Sequence, residues 1–510
     1  MLSKQSVLQA SVIITTAALL SRTIGFIREI IIAKSFGASF EYDLFLVAAT
    51  FPMFICNILL FTIPGTLIPL YSKETGSSEN SAWTFAFNFL NVFGLFFLII
   101  AGLISLAAPS IINIYAPSLG SPDRIKAILY LRILSSIVFT GGLFAILKSI
   151  FNANKHFILP AFAPLLLNTM IIFSILLLHG RISTLALVFG FSAGYLMQLV
   201  VCIPFIHVGG TKYRFSFPFK NDLIKMAYSS FLFIALIETI SQLTVVIDRS
   251  FIGSLPEGGI SALNYANTIA QIPIGVFGIA LGTAVFPSAS DYANQENWPG
   301  LKSLLIKSLK SIFIVIVPLV SLLVYYAREI VMLFFQRGAF NPKATLLTSQ
   351  ALTFLSIGIL AYVSHAVIIK VYYALRLKTI LIVSTLIAMG VKFGASLLLV
   401  GHYFQKGLAM STAAAGIVNI FILMVYLRHK IGKLNGTKLL VTFIQVSAAA
   451  GIGLLASHAL FQLIVGQPLL LKMGLGITAF VIVYLVLAHI FRVHEIVSLV
   501  NKIRRGGHEK

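Results

Sequence analysis

Arg22, Arg28 and Glu29 lie in one otherwise apolar stretch, Ser21-Arg22-Thr23-Ile24-Gly25-Phe26-Ile27-Arg28-Glu29. Asp43 follows where the next apolar run begins. Arginine offers a planar donor fork that matches phosphate or pyrophosphate. A charge at membrane depth costs a few kcal/mol or more, so such residues usually face water and handle a charged substrate. The pattern therefore points to an anion clamp, with Arg22 and Arg28 as donors and Glu29 and Asp43 as the carboxylates beside them. Adjacent residues project about 100° apart on a helix, so Arg28 and Glu29 form no i,i+4 ladder. Asp43 is placed to pair with one of the arginines across the hairpin. A structural ion-pair network locking the first span to the second is the competing reading, and for Arg28-Glu29 the two are compatible.

A second charged position closes the seventh apolar run, where Asp248 precedes Arg249 and Glu238 lies ten residues earlier. An aspartate inside a membrane serves as a cation ligand or a proton relay. The alternative is a local pair with Arg249 at the outer interface. Lys392 and Arg132 are further intramembrane charges, and Arg132 is placed to snorkel to an interface. His365 reads as a packed helix residue rather than a ligand.

Other chemistry finds little support. The chain has no Walker loop, no GxSxG, no HExxH and no CxxC, and its acids are few and scattered. The longest polar stretch, 207–225, is too short for a catalytic loop domain, so an enzyme is not expected. No cofactor and no metal are expected either. Cys56 and Cys202 both sit in apolar runs and form no disulfide framework.

The elements that carry these residues are membrane helices. Of 510 residues, 58% are hydrophobic and 10% charged, against about 25% charged in a soluble domain. Apolar runs recur along the whole length, and the length rule divides them into about 14 transmembrane helices, the first at 8–34 and the last at 469–490. The fold class is all-α, a polytopic membrane protein. The start at Met1–Gln5 lacks a small-residue cleavage site, so it reads as a retained first span. Pro52, Pro64 and Pro69 in the second span, and Pro273 and Pro287 in the eighth, predict interrupted helices.

The net charge of +22 would suggest nucleic acid in a soluble protein, but here it marks basic loops against anionic lipid, with no nucleic-acid partner. The heaviest clusters are Lys212, Arg214, Lys220 and Lys225, then Arg428, Lys430, Lys433 and Lys438, then Lys502, Arg504 and Arg505. They fall on the side shared with the N-terminus, which puts both termini in the cytoplasm.

An internal repeat is visible. Pro52, Gly65-Thr66 and Pro69 are echoed by Pro273, Gly282-Thr283 and Pro287. Lys148 before Phe151-Asn152-Ala153 is echoed by Lys370 before Tyr373-Ala374-Leu375. Six spans separate the equivalents, so the halves share one orientation. The expected division is two six-helix lobes, 1–210 and 211–432, with two C-terminal helices and a basic tail in 433–510.

At these residues the chain resembles the MurJ (MviN) lipid II flippases of the multidrug/oligosaccharidyl-lipid/polysaccharide exporter superfamily. Ser21-Arg22, Gly25-Phe26, Arg28-Glu29, Phe36-Gly37-Ala38 and Asp43 are similar to its N-terminal signature. Asn152-Ala153 through Phe157, Pro160-Ala161, Ala163-Pro164 and Asn168 resemble its span-five motif. Gly282-Thr283, Pro287-Ser288, Phe335-Gln336-Arg337-Gly338 and Phe340 resemble blocks of its second half. The resemblance implies two lobes around a cationic cavity, a groove for a polyprenyl tail at the last two spans, and alternating access in the bacterial inner membrane. The implied substrate is lipid II, a polyprenyl-pyrophosphate-linked peptidoglycan precursor carried from the inner to the outer leaflet. Membrane lipids and cell-wall synthesis proteins are the expected partners. Arg22, Arg28 and Asp43 match family positions held to be functional, and Glu29 stands where an Asp is usual.

Three stretches depart from the pattern. Cys56-Asn57 replaces a basic pair, and Asn267-Thr268 replaces an acid and an arginine after Tyr265-Ala266. Arg376-Leu377-Lys378-Thr379-Ile380 replaces a motif whose carboxylate belongs to the family's sodium site. A flippase for another lipid-linked glycan, of exopolysaccharide or teichoic type, is the alternative transport reading, and a non-transporting envelope scaffold is the alternative from another class. The intramembrane arginines disfavour the scaffold. The lost carboxylate leaves Asp248 to couple transport to membrane potential or a proton rather than to sodium.

Overall fold

The computed structural model describes residues 7–204, 213, 215–218, 222–434, 436–464, 466–491 and 493. Three of the basic loop residues (Lys212, Arg214, Lys220) and the tail Lys502, Arg504 and Arg505 lie outside them. Among the described residues there are helices and turns and no strand. Also among the described residues, thirteen helical segments are long and apolar enough to cross a membrane, from Phe40–Gly76 to Leu469–Ile490. Helix α1 (Val7–Phe36) precedes them and carries the charged stretch. Each segment coincides with a span expected from the sequence.

Contacts divide the chain into two compact units. The first comprises Met1–Ser261 and Arg337–Asn341. It holds α1, α2 (Phe40–Ser77), α3 (Glu79–Tyr115), α4 (Ser121–Leu134), α5 (Ser136–Ala153), α6 (Ile158–Ile182), α7 (Leu185–Cys202) and α8 (Asp222–Ser250). Helix α2 is central and packs on α3, α4, α5 and α8, while α6 lies against both α1 and α7. Aromatic rings fill the seam between α3 and α8: Phe93 stacks on Phe89 at 4.0 Å and on Tyr228 at 4.8 Å.

Local chemistry sets the element ends near the charged stretch. Gly37, at φ +61°, ends α1 in the left-handed conformation, and its N–H donates to Ala33. Ser39 caps α2 by accepting from the Tyr42 N–H at 3.3 Å. Glu41 and Asp43 in the first turn of α2 suit the positive end of its dipole.

The prolines behave differently from expectation in one of the two spans. Helix α2 runs unbroken through Pro52, Pro64 and Pro69, because its packed neighbours hold its axis. In the eighth span a π-turn, Ile274–Gly278, follows Pro273 directly, so that span is interrupted. The fourth span breaks at Ser135, where the hydroxyls of Ser135 and Ser136 donate to Arg132 and Ile133 carbonyls, each at 2.7 Å.

The second unit comprises Ala262–Gln336 and Pro342–Lys510. It contains most of α9 (Gly259–Pro273), then α10 (Ile279–Asn294), α11 (Trp298–Tyr325), α12 (Ala327–Phe335), α13 (Pro342–Ala374), α14 (Lys378–Tyr403), α15 (Gln405–Ile431), α16 (Gly436–Leu463) and α17 (Leu469–Ile490). Here α13 is central and packs on α10, α11 and α15. The two units repeat one pairing. The helix with Gly65-Thr66 packs on the helix with Lys148, and the helix with Gly282-Thr283 packs on the helix with Lys370.

Helices α16 and α17 pair with each other, and α16 packs on α11 around Val317, Val446, Phe480 and Tyr484. The Tyr484 hydroxyl donates to the Ile314 carbonyl at 2.7 Å. Their outer faces expose Leu455, Leu463, Leu470 and Ile482, as a lipid-facing surface does.

Candidate functional site

Arg28 is held on three sides. Helix α1 packs along α6, and Arg28 Nη1 donates to Asn168 Oδ1 at 2.9 Å. Asn168 is itself fixed, since its Nδ2 donates to the carbonyls of Ser21 at 3.3 Å and Pro164 at 3.4 Å. The guanidinium lies over the Phe191 ring of α7, 5.6 Å from its centroid. Its Nη2 meets Glu29 Oε1 at 2.5 Å. The two residues project from different sides of the helix, yet the long arginine arm bridges the difference. Glu29 is only 6% exposed. Arg28 Nε and Glu29 Oε2 are both buried, and among the described residues neither has a hydrogen-bond partner.

Arg22 lies six residues earlier on the same helix and is exposed. One arginine is therefore locked and one is open.

Among the described residues, Asp43 makes no ion pair with Arg22 or Arg28, the partners expected of it. It is 2% exposed, and its carboxylate accepts from the Gly258 N–H at 2.8 Å, the Ser261 N–H at 2.6 Å and the Ser261 hydroxyl at 2.5 Å. The loop before α9 turns its free N–H groups toward α2 and offers a better match than an arginine side chain. Gly258, at φ +80°, sits where an added Cβ would collide with the Ala38 carbonyl. On the other side of the same turn, the Ala339 N–H donates to the Lys34 carbonyl at 2.8 Å, and Gly338 at φ +59° leaves no room for a side chain beside Lys34. Segments 258–261 and 337–341 thus clasp the α1–α2 turn.

Asp248 is half-buried in the last turn of α8, and the neighbouring Arg249 is buried and donates Nη1 to the Ile260 carbonyl at 3.1 Å. Among the described residues no group of three or more His, Cys, Asp and Glu gathers as a metal site. Lys392 is 1% exposed within α14, whose face Ser384, Ala388, Lys392, Ser396 and Val400 is buried. Arg132 is exposed, with Nε donating to the Ser105 carbonyl at 3.3 Å. His365 is half-buried. Cys56 is buried, with its Sγ against Gly141.

Sequence reasoning singled out Arg28, Glu29 and Asp43 but missed what holds them. Asn168 was visible only as part of a resemblance. Phe191, Gly258 and Ser261 carried no signal, because their partners are far away in sequence.

Comparison with known proteins places this chain among relatives. A family model described as lipid II flippase MurJ matches residues 32–501. The probable lipid II flippase MurJ of Thermotoga maritima is 24% identical over 491 residues, spanning 96% of this chain and 97% of that one. The lipid II flippase MurJ of Thermosipho africanus is 25% identical over 426 residues, spanning 82% and 85%. A solved lipid II flippase MurJ in an inward closed conformation superposes with a TM-score of 0.81 at 24% identity, over 95% of this chain and all of that one. An inward-facing multidrug resistance MATE family transporter of the MOP superfamily follows at 0.69 and 15% identity, over 80% and 94%.

Proposed function

This chain belongs to the lipid II flippase MurJ family, and on that premise we propose that it carries lipid II from the inner to the outer leaflet by alternating access. It is a transporter, not an enzyme. The observation that carries the reading at residue level is Arg28, a guanidinium in an apolar helix oriented by Asn168 and Phe191. A preorganised donor fork binds pyrophosphate without ordering cost at the moment of binding.

In this reading Arg22 and Arg28 hold the pyrophosphate, Glu29 tunes Arg28, and Asp43 maintains the clasp on the α1–α2 turn. Arg22 makes the first contact because it is exposed. Asp248 is the coupling residue. Moving one charge across about 100 mV is worth about 2.3 kcal/mol, enough to bias a two-state transporter. The protein sits in the bacterial inner membrane with both termini in the cytoplasm, where its basic ends meet anionic lipid. Cell-wall synthesis proteins are its proposed protein partners, and membrane lipids surround it.

A second transport reading has an observation in its favour. Cys56 and Asn57 stand where the family carries a basic pair, which suits a lipid-linked glycan of lower charge than lipid II. Depletion in the source bacterium separates the two. Lysis with accumulated lipid II supports the first reading. Loss of a surface polymer without lysis supports the second.

A further inference from the structure

We propose that Glu29 is a selectivity element: a resident carboxylate that fills the Arg28 anion site and admits only ligands of higher charge. The inference rests on the reading of Arg28 as the pyrophosphate ligand. Three observations carry it. Glu29 Oε1 occupies Arg28 Nη2 at 2.5 Å, where a phosphate oxygen would bind. Glu29 is nine-tenths buried, so the carboxylate has little water to retreat into. Among the described residues, its second oxygen and Arg28 Nε have no hydrogen-bond partner, so the pair leaves binding capacity unspent at its centre.

An anion that takes Arg28 Nη2 must displace Glu29 Oε1 and leave a buried carboxylate uncompensated. That cost is the same for every ligand. A phosphodiester lipid brings a single charge, so it exchanges one anion for another and loses the balance. A pyrophosphate brings more charge and more acceptor oxygens to the same fork. The membrane presents a large excess of phosphodiester headgroups. An arginine left bare in such a solvent would be occupied by them, and the neighbouring carboxylate prevents this. Asn168 and Phe191 hold the guanidinium independently of Glu29. Removing the charge of Glu29 therefore leaves the fork in place, and the variant reports on charge rather than on position.

The test uses the full chain in detergent and three probes: phosphatidylglycerol, a polyprenyl monophosphate and the matching polyprenyl pyrophosphate. The unmutated protein is expected to climb in affinity along that series. Glu29→Gln is expected to bind phosphatidylglycerol about tenfold more tightly and so to narrow the preference by a comparable factor. Glu29→Asp, which keeps the charge, is expected to retain the preference. Unchanged phosphatidylglycerol affinity in Glu29→Gln overturns the proposal. Loss of pyrophosphate binding in that variant also overturns it, because Glu29 would then be a positioning group. If Glu29→Gln does not purify as a folded protein, the series on the unmutated chain decides, and equal affinity for all three probes overturns the proposal. Arg28→Ala separates this from the underlying reading. Pyrophosphate binding that survives in Arg28→Ala removes Arg28 as the ligand, whatever Glu29 does.

Discussion

At the scale of residues, the account turns on one arginine and its neighbours. Truncating one partner of a buried, hydrogen-bonded charge contact costs about 2 kcal/mol or more, roughly 30-fold in affinity. Arg28→Ala is therefore expected to abolish complementation of a depleted strain while the protein remains inserted. Arg28→Lys is expected to rescue only in part, because lysine cannot keep both the Asn168 contact and a bidentate phosphate contact. Asn168→Ala should weaken substrate binding with little loss of expression. It frees the guanidinium to turn, and the Arg28→Ala/Asn168→Ala double variant should be no worse than Arg28→Ala alone. Quantitative complementation with membrane-fraction immunoblots reads all of these variants. The charged residues were legible because a charge in an apolar run is conspicuous. Their partners were not, since Asn168 lies 140 residues from Arg28. Asp43 marks the limit of that legibility. Its charge at the start of an apolar run stood out, but the preference for the Gly258 and Ser261 N–H groups over an arginine is a property of the folded loop.

At the scale of elements, the clasp on the α1–α2 turn is the feature most open to mutation. Asp43→Ala leaves the N–H groups of Gly258 and Ser261 buried without their acceptor. An expected loss of about 2 kcal/mol follows from the desolvation of such donors. Gly258→Ala is expected to cost about 1–2 kcal/mol, since φ is +80° and the new methyl meets the Ala38 carbonyl. Thermal unfolding of the purified protein in detergent measures both. Unchanged midpoints would show that the clasp contributes nothing to the folded state. Most elements were legible in outline, because a run of about 20 apolar residues has few alternatives to a spanning helix. Proline was the weaker guide. It interrupted the eighth span at Ile274–Gly278 but not α2, a difference that no local pattern records.

At the scale of the whole molecule, the charge bias predicts orientation. With Cys56 and Cys202 replaced, a cysteine at position 257 is expected to react with an impermeant reagent from outside. One at position 73 should react only after the cytoplasmic side is opened. Both positions are exposed in the structure. Labelling of position 257 from the cytoplasmic side alone would invert the topology. The repeat was legible as paired Pro, Gly-Thr and Lys landmarks, and the matching α2–α5 and α10–α13 contacts give those landmarks a common structural setting.

The measurement that bears most directly on the central claim is lipid II translocation in proteoliposomes containing the purified chain. Sodium gradient and membrane potential are imposed separately, and Arg28→Ala is run in parallel. The account predicts translocation that follows the potential more than the sodium gradient, weakens in Asp248→Asn, and vanishes in Arg28→Ala. Lipid II translocation at the unmutated rate by Arg28→Ala would contradict it.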